Sequence, residues 1–141
     1  MMHLEEITAA VELGRAGDRE AARTQLTALW EASDDRQTRC AIAHYLADVQ
    51  DETEDELSWD LRALENVDDD GWLPSLHLNL ADDYRRLART QLAEEHLSVA
   101  RAHLSGLPEG AYGDMIRGGV ENVAEALAAG SVRRLETNPS T

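Results

Sequence analysis

Two series of residues recur in step along this chain, and they limit its fold more than any other feature. Small residues with matching flanks stand at Ala10, Ala43 and Ala81, and bulky apolar residues stand at Leu26, Trp59 and Leu97. Both series advance by the same two intervals, 33 and then 38 residues. A shared period in this range marks stacked supersecondary units, each too small to bury its own apolar face. The longer second interval contains the loop Asp68-Asp69-Asp70-Gly71 ahead of Pro74.

Between these markers the apolar residues keep helical spacing. Leu4, Ile7, Ala10, Val11 and Leu13 predict a helix over about residues 4–16, with Gly14 and Gly17 as punctuation. Asp18 suits the cap of a second helix carrying Ala21 or Ala22, Leu26, Leu29 and Trp30. Ser33-Asp34-Asp35 opens a third, which runs to about Val49 through Cys40, Ala43, Leu46 and Ala47. The acidic run from Asp51 to Glu56 suits a turn and a helix start, followed by a stripe of Leu57, Leu61 and Leu64. Pro74 fits the first turn of a fifth helix. Thr90 suits the cap of a sixth, with Leu92, Ala93, Leu97, Val99, Ala100 and Leu104. A loop from Gly106 to Gly113 leads to a seventh helix, about 114–129, ended by Gly130. Residues 131–141 read as a flexible polar tail. No segment reads as a strand.

Composition agrees. The chain has no Phe and only 4% aromatic residues, so its apolar volume is mostly Leu and Ala, which favour helices. The net charge of −15 repels phosphate backbones and anionic membrane surfaces, so no nucleic-acid or membrane partner is expected. All thirteen basic residues are Arg. The single Cys40 has no internal disulfide partner, which fits a reducing compartment. The opening Met1-Met2-His3-Leu4-Glu5-Glu6 lacks the basic start and apolar run of a signal peptide. A soluble cytoplasmic protein is the expectation.

With these residues in view, the chain resembles the tetratricopeptide repeat (TPR) family of helix–turn–helix units. Residues 74–105 carry Leu80, Ala81 and Tyr84 at the family's first-helix positions and Ala93, Leu97 and Ala100 at its second-helix positions. Residues 3–35 match through Ala10, Leu13, Gly17, Ala22 and Leu26, and 36–67 through Ala43, Leu46 and Ala63. His77 stands where the family often has Trp, and the terminal Pro is displaced to Pro108. The resemblance implies an all-α fold, a right-handed α-solenoid of about three hairpins plus a capping helix, forming a single domain over residues 1–130. Gly118-Gly119 suits close packing of the capping helix, or else breaks it.

In this family the first helices of successive units line a concave groove for peptides. Carried over by position, the groove here is lined by Ile7, Val11, Cys40, His44, Leu78, Asn79, Asp82, Arg85 and Arg86. Asn79 keeps the family's five-residue spacing to Tyr84, and its amide either contacts a ligand backbone or bonds to a neighbouring helix. Leu78 lies off the main stripe of Leu76, Leu80, Tyr84 and Leu87; it packs on the preceding hairpin or stays exposed as a contact. Arg85 and Arg86 suit an acidic peptide, but Asp82 stands at the spacing of ordinary surface ion pairs, and that is the better account. Ile7 and Val11 stand where the family's carboxylate clamp has Lys and Asn, so an apolar anchor on a partner, or a sister chain, is expected instead.

Chemistry is sparse. His44 and Asp48 are one helical turn apart, but a zinc site needs a third ligand and none is evident. In the Asp68–Gly71 loop, the twelfth calcium-loop position falls on His77 where a Glu is required. The Gly106–Gly113 loop lacks the spacing of a dinucleotide or phosphate loop. Cys40 has no helix N-terminus or facing cation to activate it. His96 and His103 flank a stripe with Leu92 and Val99 and read as solvent-edge or partly buried histidines. The expected function is therefore a protein-binding adaptor without catalysis, metal or cofactor. The alternative is a homo-oligomerisation module that uses the groove or an end face.

Overall fold

The computed structural model describes residues 2–140. It contains seven α-helices and, among the described residues, no strand. Among the described residues, no helix is long and apolar enough to cross a membrane. The structure divides into two compact units, Met1–Asp68 and Asp69–Thr141.

The first unit holds α1 (Leu4–Arg15), α2 (Arg19–Ala32), α3 (Arg36–Asp48) and α4 (Thr53–Glu65). Each helix packs on its neighbour in sequence. Ile7, Ala10, Ala22, Leu26, Ile42, Leu46 and Val49 form the core, flanked by Trp30 and Trp59. Capping acids open two helices. Asp18 accepts from the Ala21 N–H at 3.2 Å, and Asp35 accepts from the Thr38 N–H at 3.0 Å and the Thr38 hydroxyl at 2.6 Å. Those bonds hold the Asp35 carboxyl below its usual range.

Helix ends are closed by arginines from other helices. Arg19 donates to the carbonyls of Asp48 and Gln50 at 3.2 and 2.9 Å, and Arg23 donates to that of Val49 at 2.7 Å. Arg36 donates to the Val67 carbonyl at 3.0 Å, past the end of α4. A guanidinium has five N–H donors and can serve several orphan carbonyls at once, a use to which a Lys ammonium is less suited.

The second unit holds α5 (Leu73–Arg86), α6 (Thr90–Ala102) and α7 (Ala111–Ala128), with single 3-10 turns at Asp70–Trp72 and Leu104–Gly106. Helix α7 packs on both α5 and α6. The core comprises Leu78, Ala81, Leu97, Ala100, Leu107, Ile116, Val120 and Val123.

The α1–α2 and α5–α6 turns share one design. The Gly17 N–H bonds to the Gly14 carbonyl at 3.1 Å and the Asp18 N–H to that of Leu13 at 3.0 Å. In the second turn the Ala88 N–H bonds to the Arg85 carbonyl at 3.0 Å and the Arg89 N–H to that of Tyr84 at 2.8 Å. Both are Schellman closures, which need a left-handed residue. Gly17 supplies it at φ 102°, whereas Ala88 is held there at φ 59°.

Several local expectations shift. Helix α7 starts at Ala111, earlier than predicted, and Thr90 is the first residue of α6 with Arg89 in the cap position. Gly130, at φ 68°, does follow α7, where the closure runs from the Gly130 and Ser131 N–H groups to the Leu127 and Ala126 carbonyls. Helix α4 buries Glu56, Leu57, Asp60 and Ala63, leaving Leu61 40% exposed. Counting leucines misplaced that face, because two carboxylates occupy it. Leu92 and Val99 are likewise exposed, and α6 buries Ala93, Leu97 and Ala100 instead.

Candidate functional site

Helix α5 is buried on nearly every side, from Pro74 to Arg85 apart from His77. Its apolar stripe of Leu76, Leu80 and Ala81 is fully enclosed, and so is Leu78. Leu78 joins Ile116, Val120 and Val123 of α7 in the core of the second unit. It therefore packs on a following helix and is not an exposed contact.

The charged residues on α5 are buried too. Asp82 is 3% exposed and Arg85 is 2% exposed. Arg85 donates through Nε and Nη2 to Asp82 Oδ1 at 3.1 and 2.7 Å. Arg86 donates through Nε to Asp82 Oδ2 at 3.0 Å and through Nη2 to Asp83 Oδ1 at 3.0 Å. The sequence expectation of a weak surface ion pair gives way to an enclosed network. Enclosure changes the energetics: the desolvation of these charges is large and only close pairing offsets it. Helical spacing brings the four residues together, but spacing alone does not show which side of a helix is covered.

Asp82 occupies Nε and Nη2 of Arg85 and thereby aims Nη1 outward along the same fork. Nη1 donates to the main-chain carbonyl of Ser131 at 2.9 Å. Ser131 opens the segment predicted as a flexible tail. Residues 131–140 contain no helix, but they lie along the second unit. Leu135 packs against its core. The Pro139 carbonyl sits so close to Gly119 that a Cβ on residue 119 would clash with it, and Leu78 Cδ2 would be 2.9 Å from that Cβ. Gly119 thus forms a notch in α7, while Gly118 beside it faces open space. Ser140 is 5% exposed, and its N–H bonds to the Asn138 side chain at 3.0 Å.

A second polar feature joins α5 and α6. His77 Nδ1 and His96 Nδ1 are 2.9 Å apart, so one donates its proton to the other. The ring centroids are 5.2 Å apart, which exceeds the nitrogen separation by about two ring radii and sets the nitrogens head-on. Tyr84 stacks on His96 at 5.4 Å. Burial, then the nearby His96 and His103, push His77 down to about 4, and burial also lowers His96.

The remaining candidates lie in the first unit. Ile7 is a core residue and Val11 packs beside it. Cys40 is 1% exposed, and burial with the nearby Asp68 charge pushes its thiol up to about 12. His44 is 4% exposed, its ring edge-on to Tyr45 at 5.1 Å, and burial pushes it down to about 4. At neutral pH the thiol is protonated and the imidazole is uncharged. Asn79 is 4% exposed on α5. The structure therefore assembles Asp82, Arg85 and Arg86 into one cluster with Leu78 nearby, and holds Ile7, Cys40 and His44 as interior residues of the other unit.

The sequence reading missed Ser131, Leu135 and Pro139. One signal was present: Leu135 is the only large apolar residue after Val132, in a segment otherwise polar. The His77–His96 contact had no signal in either residue alone. Comparison with family models, with curated proteins and with solved structures finds no match.

Proposed function

We propose that this protein is a TPR-like protein–protein interaction module that binds an extended segment of a partner and performs no catalysis. In this reading α1–α2, α3–α4 and α5–α6 are copies of one hairpin unit, arranged as in a right-handed α-solenoid, and α7 is the cap. The shared Schellman closures at Gly17 and Ala88 support the repeat, as do Ala10, Ala43 and Ala81, each 0% exposed at the equivalent place.

One observation carries the functional reading. The α5–α7 face holds a non-helical stretch of chain by a guanidinium–carbonyl bond, a packed leucine and a glycine notch. A main-chain bond gives affinity for any extended segment, and a side-chain seat gives selectivity. Burial keeps the Cys40 thiol protonated and makes the His44 ring a weak base, so neither is tuned for nucleophilic or general-base chemistry.

The test is capture of a partner on the immobilised full chain, purification of the complex, and hydrogen exchange with and without partner. The expected result is slowed exchange confined to α5 and α7. Slowing that falls only in the first unit, or no specific partner at all, would remove this reading.

A further inference from the structure

The α5–α7 face is a peptide seat that the chain fills with its own segment. We infer that residues 131–140 act as a displaceable internal ligand, released when an extended segment of a partner takes the same contacts. The inference rests on the interaction-module reading and specifies the site, the resting occupant and the chemistry of the competitor.

Three contacts define the seat, spaced four residues apart along the segment. The Ser131 carbonyl accepts from Arg85, Leu135 enters the core edge, and the Pro139 carbonyl enters the Gly119 notch. Residues 132–134, 136 and 137 are exposed. A segment that alternates anchors with solvent-facing residues is bound as a peptide is bound, through a few side chains and its backbone. Its lack of helix leaves its amides outside any regular ladder, the usual condition of segments that open locally.

The seat, by contrast, is fixed before anything occupies it. Asp82 holds two of the Arg85 donors, and Leu78 and Gly119 belong to helices packed on one another. A preformed site loses little freedom on binding. The competitor it selects is a non-helical segment that can follow the same bends, with a free main-chain carbonyl, a leucine-sized anchor four residues later, and a carbonyl that fits the notch four residues after that. A tethered occupant acts at high effective concentration, so such a competitor binds the resting protein weakly.

The experiment uses full-length protein and a fluorescein-labelled peptide of residues 130–140. Anisotropy is measured on wild type, Leu135→Glu, and Leu135→Glu with Gly119→Ala. Leu135→Glu removes the segment's apolar anchor without substituting any residue of α5 or α7. The expected result is peptide binding at least about tenfold tighter to Leu135→Glu than to wild type, lost again in the double variant. Equal binding to wild type and Leu135→Glu, or no binding to either, overturns the inference, and so does full binding to the double variant.

Hydrogen exchange on wild type tests the same point without substitution. The amides of 132–140 should open together while α7 stays protected, and faster when unlabelled peptide is added. Opening only together with α7 also overturns it. Peptide binding without any captured partner would keep the seat and remove the foreign partner, so the two readings fail separately.

Discussion

Adjacent glycines in α7 give opposite predictions, and their difference isolates one contact. Replacing either glycine by Ala removes the same backbone freedom from a helix interior, which stabilises by about 0.5–1 kcal/mol. At Gly118 nothing lies within 4 Å of the new methyl, so that gain stands alone. At Gly119 the methyl meets the Pro139 carbonyl and lies 2.9 Å from Leu78 Cδ2. Leu78 is 0% exposed, so its side chain has little room to withdraw. Overpacking of this kind costs about 1–3 kcal/mol. The helix gain cancels between the variants, so Gly119→Ala should be less stable than Gly118→Ala by about the overpacking cost alone, ~1–3 kcal/mol.

Urea denaturation followed by circular dichroism measures both variants against wild type. Gly118→Ala should raise the midpoint with an unchanged m-value, and Gly119→Ala should fall below Gly118→Ala. If the segment yields and the helix holds, Gly119→Ala also loses amide protection in residues 131–140. Equal stabilisation by both substitutions would refute the reasoning, because it would mean that no carbonyl occupies the notch.

Three further outcomes follow from the same geometry. Ala88→Gly should stabilise by about 1 kcal/mol in thermal denaturation, since a side chain at φ 59° is strained where Gly17 occupies the equivalent turn without strain. Asp82→Ala should destabilise by about 3–5 kcal/mol, leaving two buried guanidiniums without their shared carboxylate; a surface pair would lose less than 1 kcal/mol. His44 is held neutral, with a folded value of about 4 against 6.5. Its contribution is complete above pH 6.5 and declines as pH falls toward 4, by roughly 2 kcal/mol at pH 5. Urea midpoints of wild type and His44→Gln at pH 7 and pH 5 check this, and the variant should show a smaller drop.

The fold was largely legible because helical periodicity and caps are local properties. Asp18, Asp35, Pro74 and Gly130 each mark a boundary through bonds or backbone angles that involve only near neighbours. The exposed sides of α4 and α6 were harder to read, since burial depends on what another helix presents. Leu61 and Val99 look like core residues in sequence and are not. The charges of α5 failed in the opposite sense. Asp82, Arg85 and Arg86 have the spacing of a solvated ion pair, and only the packing around them reveals an interior network. The contacts of the tail were illegible for the same reason: they depend on a face that lies elsewhere in the chain.

That interior network bears on why the seat is built from charge at all. A buried ion cluster gains little stability over apolar side chains of the same shape. Stability alone would favour leucines at Asp82 and Arg85, extending the face that Leu78 begins. An apolar face holds a segment by area, however, and area does not distinguish one register from the next. The guanidinium does, because it has a single remaining donor edge and Asp82 fixes where it points. The Gly119 notch is a second fixed point, set by the backbone of α7. Two fixed points on a chain of known spacing admit one register, with Leu135 between them at the core edge. The charges of α5 are therefore best understood as setting the position of whatever lies on this face, and the apolar contacts as supplying its affinity.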